Sequence, residues 1–140
     1  MDALPDFLYK KHVRVIYSSA IALSHPQLMF YVNQGNLVMK RSEFLALLCK
    51  NKTTLAVAGT HGKTTTGLIL THIFLKTKKS FTSLIGGFLK NNPSNLIKTG
   101  LDTFIVEADE FDRSFLQLYP TFACITSIDP DHLDVYLSLI

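Results

Sequence analysis

The sequence predicts an α/β fold in which a parallel sheet is flanked by helices. Three apolar segments, at residues 53–58, 103–107 and 122–126, lack the in-out alternation of a half-exposed strand. The first of them is followed by a glycine-containing turn and then by a helical apolar pattern over residues 63–76. Continuous apolar strands separated by helical stretches are typical of a parallel sheet that is covered on both faces.

The composition narrows the class of protein. Of the 140 residues, 47% are hydrophobic and 18% are charged, which excludes a chain that is disordered throughout. The net charge of +3 comes from scattered basic residues, so nucleic-acid binding is not predicted. No apolar run approaches the roughly 18 residues of a membrane span, and the first residues lack the layout of a secretory signal. We therefore expect a cytoplasmic protein.

The two cysteines give no sign of a metal site. Cys49 and Cys124 lie far apart, and neither has a second cysteine or a histidine at metal-ligand spacing. We expect both to be buried, reduced thiols.

The first fifty residues alternate short strands and helices. Ser18 and Ser19 follow the first strand and are small enough for a turn that approaches a ligand closely. The polar residues 50–52 are the best candidate for a domain boundary, which divides the chain into residues 1–50 and 51–140. The predicted elements before it are a strand over 13–17, a helix from about Pro26 to Gly35, a strand over 37–39 and a helix through 44–48.

A strand, a loop and a helix at residues 53–76 form the most informative stretch. Glycines in the loop allow backbone N–H groups to converge on a phosphate where a helix begins. Lys63 can place its ammonium on the terminal phosphates, and the Thr64 hydroxyl stands where nucleotide-binding loops hold magnesium. The spacing is shorter than the standard one, because Val57 stands at the place of its first glycine. The predicted nucleotide-binding residues are Gly59, Thr60, His61, Gly62, Lys63, Thr64 and Thr65. The alternative is an ordinary glycine turn with a solvated lysine.

Carboxylates cluster directly after the strand at 103–107. The cluster contains Glu107, Asp109, Glu110 and Asp112, and the carboxyl edge of a parallel sheet is where ligands bind. Because clustered carboxylates repel one another, a nucleotide-bound Mg²⁺ would fit among them. A solvated acidic loop is the alternative.

His132 follows the strand at 122–126 and stands among three aspartates, at 129, 131 and 134. A neutral imidazole is a good ligand for a divalent ion, although a histidine in this position is more often a capping or surface residue. The phosphate loop, Glu107 and His132 would converge at one edge of one sheet. Together they predict a metal-nucleotide site.

In these residues the chain resembles the Mur ligases of bacterial peptidoglycan synthesis. Several motifs in the same order are more specific than any one of them. The motifs are AGTHGKTTT at 58–66, EADE at 107–110, Asp112, SFL at 114–116, Thr126 and DHLD at 131–134, with YSSAI at 17–21, IGG at 85–87 and Asn95 as weaker matches.

The resemblance implies a P-loop-type ATPase central domain, truncated, preceded by the end of a Rossmann-like, UDP-substrate-binding domain. It implies an ATP-dependent ligation in which the carboxylate of UDP-N-acetylmuramate forms an acyl phosphate that the amine of L-alanine attacks. Lys63, Glu107 and His132 would be catalytic. Thr64 and Glu107 would hold Mg²⁺, and His132 a second divalent ion. The implied substrate-binding residues are Ser18, Ser19, Gly86, Gly87 and Asn95.

Two departures and two alternatives accompany this interpretation. Phe111 stands where many relatives have serine, and Ser127 where many have asparagine. The family's adenine pocket and C-terminal domain have no counterpart here, so we expect the chain alone to be inactive and able to self-associate. The alternatives are a related recycling ligase, which attaches a whole peptide to the same sugar nucleotide, and a non-catalytic nucleotide-binding module. The segments 113–118 and 126–129 favour the alanine-adding enzyme.

Overall fold

The computed structural model describes residues 13–109 and 115–129. Contacts divide the chain into two compact units, the first ending at Leu45 and the second beginning at Ala46. This division falls inside a helix, just before the polar segment at 50–52. The elements are β1 (Arg14–Tyr17), α1 (Pro26–Asn33), β2 (Leu37–Lys40), α2 (Arg41–Cys49), β3 (Thr53–Ala58), α3 (Lys63–Lys76), β4 (Phe81–Leu84), β5 (Leu96–Lys98), β6 (Thr103–Glu107) and β7 (Phe122–Ile125).

The first unit contains a small parallel β-α-β arrangement. Strands β1 and β2 pair in parallel, with Arg14 opposite Leu37. Helix α1 connects them and begins with Pro26. Proline is tolerated there because a backbone N–H in the first turn would have no acceptor within the helix. Gly35 adopts a φ of +71°, and this left-handed turn ends the helical segment as predicted.

The second unit contains a five-stranded sheet in the order β5-β4-β6-β3-β7. Strands β3, β4, β6 and β7 are parallel, and β5 at one edge is antiparallel to β4. Helix α3 connects β3 to β4 and packs on β3 and β6. The predicted α/β class is confirmed, and the sheet is mostly rather than wholly parallel.

The core of this unit lies between α3 and the sheet. Phe81, Ile85, Ile97 and Ile105 are buried together, and side chains of α3 such as Phe74 pack against them. The rings of Phe74 and Phe81 meet edge to face with centroids 5.5 Å apart. This packing fixes α3 over the centre of the sheet.

Strands β4 and β5 were not predicted from the sequence. The buried strand β4 contains Thr82 and Ser83, whose hydroxyls break the apolar pattern. Both hydroxyls are satisfied by distant partners: Thr82 Oγ1 donates to the Gly100 carbonyl at 2.6 Å, and Ser83 Oγ lies 2.6 Å from Thr71 Oγ1 on α3. A polar side chain can therefore occupy the interior, because its hydrogen bond is made there.

Strand β7 differs from the other parallel strands because all four of its residues are exposed. Phe122 and Ile125 expose 63% and 61% of their surface. Both cysteines are free thiols, and Cys49 is buried as expected, but the prediction for Cys124 was wrong, since it lies exposed on this edge strand. Among the described helices, none has the length and apolar character needed to cross a membrane.

The two thiols are expected to differ in reactivity. Burial raises the pKa of the Cys49 thiol, and a hydrogen bond with the Thr54 side chain opposes that rise. Because the thiolate is the reactive form, iodoacetamide at about pH 8 should label Cys124 first and Cys49 slowly until the chain is unfolded. The raised pKa also means that folding favours the neutral Cys49 thiol, so this contribution to stability is lost as the pH rises through that pKa.

Mass spectrometry of a labelling time course measures both rates. The variants C124S and C49S leave one thiol each and serve as matched controls. Equal labelling rates for the two variants in the folded state would contradict this assignment.

Candidate functional site

The carboxyl ends of the parallel strands meet at one edge of the sheet. Val57 of β3 pairs with Glu107 of β6, and Ala58 pairs with Ile125 of β7. The segments that follow β3, β4, β6 and β7 therefore emerge side by side. This edge brings together the predicted phosphate loop, the Gly86–Gly87 turn, Glu107 and the residues after β7.

The phosphate loop leads directly into α3. Gly59 has a φ of +124°, and Gly62, the N-cap, has a φ of +81°, conformations that strongly favour glycine. As the N-cap, Gly62 has no side chain with which to cap the helix, and the first turn of α3 contains no acidic residue. The first helical bond runs from the Thr66 N–H to the Gly62 carbonyl. The amides of residues 63–65 precede it and lie at the positive end of the helix dipole, where an anion is favoured.

The Lys63 side chain folds back over the loop. Its Nζ donates to the Gly59 carbonyl at 2.6 Å and to the Thr60 carbonyl at 3.4 Å. The ammonium thus lies at the mouth of the loop. This is the position from which it can reach a phosphate bound to the loop amides.

The Gly86–Gly87 turn lies against the first turns of α3. A Cβ added to Gly87 would lie 2.6 Å from Thr64 Cγ2 and 3.3 Å from Leu68 Cδ1. One turn further along α3, a Cβ on Gly67 would lie 2.6 Å from Ile85 Cδ1. The absence of side chains on both surfaces lets the turn touch the helix. The Thr64 side chain is consequently held beside this turn, with its methyl group at the contact.

Glu107 lies on the other side of the same turn. A Cβ on Gly86 would lie 3.0 Å from Glu107 Oε2. Within the described residues, Glu107 Oε1 is buried and has no hydrogen-bond partner. A buried carboxylate oxygen without a partner is costly, and a bound cation would satisfy it. Glu107 and Thr64 therefore lie against adjacent residues of one turn, and both side chains have oxygen atoms, the ligand type that Mg²⁺ prefers.

A segment after β7 holds the phosphate loop from the opposite side. We call residues 126–129 the strap. The Thr126 hydroxyl donates to the Ala58 carbonyl at 3.1 Å and also contacts the His61 carbonyl. The Ser127 carbonyl accepts from the Thr60 N–H at 3.1 Å, and Ser127 Oγ accepts from the His61 N–H at 2.9 Å.

Thr60 and Asp129 complete this contact between the strap and the loop. The Asp129 N–H donates to Thr60 Oγ1 at 3.0 Å, and Thr60 Oγ1 donates to the Asp129 carbonyl at 3.2 Å. The sequence analysis named Ser127 as a departure from the family pattern and as part of the segment 126–129, but it assigned no contact to the Ser127 side chain. Hydroxyl residues directly after an apolar strand were the available signal for this contact.

The remaining predicted residues have different outcomes. Asn95 lies at the site end of β5, where its carbonyl accepts from the Ile85 N–H at 3.2 Å. Ser18 and Ser19 are exposed after β1 in the first unit, and the Ile21 N–H closes a turn onto the Ser18 carbonyl at 3.0 Å. The predicted ligand His132 lies outside the described residues, as do Glu110, Phe111 and Asp112. Residues 13–109 and 115–129 contain no group of three or more His, Cys, Asp or Glu that could hold a metal.

Comparison with known proteins identifies the family of the chain. The profile of the Mur ligase middle domain matches residues 57–139, which is more than half of the chain. The chain belongs to the Mur ligase family. One relative, the UDP-N-acetylmuramate–L-alanine ligase of Flavobacterium johnsoniae, is 44% identical over 136 residues, covering 97% of this Mur ligase chain and 30% of the relative.

Solved structures of Mur ligases share the fold. The UDP-N-acetylmuramate-alanine ligase MurC of Thermotoga maritima matches with a TM-score of 0.79 and 28% identity, covering 89% of this chain and 30% of that one. The UDP-N-acetylmuramate:L-alanyl-gamma-D-glutamyl-meso-diaminopimelate ligase of Neisseria meningitides matches with a TM-score of 0.67 and 23% identity, covering 86% and 43%. The chain thus spans about 30% of the length of the alanine ligases it matches.

The close approach at Gly87 predicts the effect of a single methyl group. In G87A the added Cβ would displace Thr64, so we expect MgATP affinity to fall about tenfold, which is about 1.4 kcal/mol. Titration calorimetry measures the affinity. G35A is the control, because its Cβ would meet no atom within 4 Å although its φ of +71° is strained. Equal affinity of G87A and the parent chain would contradict a role for this contact.

Proposed function

We propose that this chain supplies the phosphate- and metal-binding part of an ATP-dependent ligase that joins L-alanine to UDP-N-acetylmuramate in peptidoglycan synthesis. The observation that carries the proposal is the buried Glu107 Oε1, which has no hydrogen-bond partner among residues 13–109 and 115–129 and lies beside the turn that contacts Thr64. The uncapped first turn of α3, which has no acidic residue, supports an anionic ligand next to it.

Different residues of the site would bind different parts of MgATP. The amides of the loop and the first turn of α3, within residues 59–65, would bind the terminal phosphates, and Lys63 would add a positive charge there. The Thr64 hydroxyl and the Glu107 carboxylate would hold Mg²⁺, and His132 a second divalent ion. The metal ions would neutralise charge on the phosphates during transfer.

The proposed reaction has two steps. The muramyl carboxylate takes the terminal phosphoryl group of ATP, which releases ADP. The amine of L-alanine then attacks the acyl carbon of this acyl phosphate, loses a proton and displaces inorganic phosphate. Such chemistry depends mainly on positioning and charge stabilisation, and Lys63 and the helix dipole supply fixed positive charge for it.

The substrate contacts and the domain roles belong to the same proposal. Residues 1–50 would form the C-terminal part of the UDP-substrate-binding domain, with Ser18 and Ser19 at the substrate. Residues 51–140 would form the N-terminal part of the ATP-binding domain, where Gly86, Gly87 and Asn95 would face the muramyl group. The enzyme would act in the cytoplasm.

Two other functions are weighed against this one. A ligase that attaches a whole peptide to the same sugar nucleotide shares the fold, but the Neisseria structure of that type is less similar than the Thermotoga alanine ligase. A nucleotide-binding module without ligation chemistry would need the loop and Lys63 but no substrate contacts. The 44% identity to an alanine ligase over nearly the whole chain favours the alanine-adding enzyme.

Removing the Lys63 ammonium tests the nucleotide site. We expect K63A to weaken MgATP binding about 100-fold, since a charge-assisted contact to phosphate is lost. K76A is the matched control, because Lys76 lies in the last turn of the same helix. Titration calorimetry on both variants measures the difference. Equal affinities for K63A and K76A would remove Lys63 from the site.

A chimera tests the reaction. The matching 136 residues of the Flavobacterium johnsoniae ligase would be replaced by this chain, and ADP release would be followed with UDP-N-acetylmuramate and either L-alanine or a tripeptide. We expect ADP release that depends on L-alanine. Release with the tripeptide alone would favour the recycling ligase, and release with neither would favour a binding module. The 140-residue chain by itself should show no alanine-dependent ADP release, because it spans about 30% of the alanine ligase it matches and ligation requires both substrates to be positioned together.

We also propose that the isolated chain self-associates through β7. Phe122 and Ile125 are exposed on this edge strand, and unpaired apolar edges promote association. Light scattering of the parent chain and of I125K measures the effect, and a monomeric parent chain would contradict it.

A further inference from the structure

We infer that Thr126 and Ser127 are positioning residues for nucleotide, which hold the phosphate loop in its binding shape through the strap. The inference rests on the proposed function and goes beyond it, since that function uses only the loop, Lys63, the metal ligands and the substrate contacts. The observation behind it is the set of hydrogen bonds between residues 126–129 and the loop.

The strap determines which loop amides are available to a phosphate. The Thr60 N–H donates to the Ser127 carbonyl and the His61 N–H donates to Ser127 Oγ, so both amides point toward the strap. Within the described residues, the strap accepts no hydrogen bond from the amides of Thr64 and Thr65 at the start of α3. A phosphate is therefore directed to the helix end of the loop, where the dipole is strongest.

The Thr126 hydroxyl spans the base of the loop. It contacts the Ala58 carbonyl before the loop and the His61 carbonyl within it, so one side chain fixes the separation of two points on the loop. Gly59 makes this possible, because a Cβ there would clash with Thr126 Oγ1 and lie 2.8 Å from the Ser127 N. The Thr126 hydroxyl thus occupies the space that a side chain at residue 59 would need.

Holding the loop in this way lowers the cost of binding. A loop of glycines and small residues would otherwise have to be ordered when nucleotide binds, and fixing backbone costs free energy. With the strap in place, this ordering is complete before the nucleotide arrives. The strap contributes to affinity although it need not touch the nucleotide.

The matched control lies at the opposite end of the same pair of strands. Thr121 Oγ1 accepts a hydrogen bond from the Thr54 N–H at 3.1 Å, just before β7. T121V removes a threonine hydroxyl that bonds to β3 just before β7 begins. T126V removes a threonine hydroxyl that bonds to β3 just after β7 ends. Only T126V should affect the loop.

The affinity experiment compares T126V, T126S and T121V in the 140-residue chain, with MgATP as the probe. T126V is expected to bind about tenfold more weakly than the parent chain, T126S to recover most of that loss, and T121V to bind as the parent does. Tm values are measured alongside. Unchanged affinity in T126V, or the same loss in T121V at equal Tm, overturns the inference while leaving the proposed function intact.

A second readout needs no nucleotide. Amide hydrogen exchange, followed by NMR, is expected to become faster at His61 in S127A, because Ser127 Oγ is its acceptor. The Thr60 amide should stay protected, because its acceptor is a backbone carbonyl that the substitution keeps. No change at His61 overturns the inference. A parent chain that binds no MgATP overturns the proposed function, and with it the role of the strap in nucleotide binding.

Discussion

The parallel pairing of β3 with β6 and β7 is the constraint on which the site depends. In-register parallel strands end at the same edge, so the chain that leaves β3 meets the residues at the ends of both neighbours. Glu107 and the strap thereby flank the phosphate loop from opposite sides. A slip of one residue in either pairing would turn every side chain of that strand to the other face. Backbone hydrogen bonds between the strands therefore position the functional residues, more than contacts between the functional side chains do.

Close packing of side chains against glycine backbone is the second element of the site. Gly87 touches Thr64, Gly67 touches Ile85, and Gly59 admits the Thr126 hydroxyl. In each case a missing Cβ lets two segments approach closely, and a larger residue there would force the facing side chain to move. The buried hydroxyl pair of Thr71 and Ser83 ties the same helix to the strand that leads to Gly86 and Gly87. Helix α3 is therefore fixed to its neighbours along much of its length.

Much of the second unit was predictable because its strands are apolar and its loop has an unusual composition. The bounds of β3, α3 and β6 agree with the predicted ones, since burial on both faces leaves a continuous apolar run. The strand containing Thr82 and Ser83 could not be predicted, because its interior polar groups depend on partners far away in sequence. The exposure of Cys124 was missed for a similar reason, since an apolar sequence does not reveal that its strand lies at an edge. Within the site, residue types identified the loop and Glu107, whereas the strap depends on a pairing between strands that the local sequence does not encode.

The position of the Lys63 ammonium has a thermodynamic consequence. A free lysine side chain has about 2 kcal/mol of rotamer entropy to lose when it is fixed on a ligand. Here the ammonium is already ordered by the Gly59 and Thr60 carbonyls. Arrival of a phosphate would exchange carbonyl acceptors for phosphate oxygens, with little further loss of side-chain freedom. When the phosphate leaves, the ammonium could again donate to the same carbonyls. The positive charge in the loop would therefore keep hydrogen-bond acceptors at every stage.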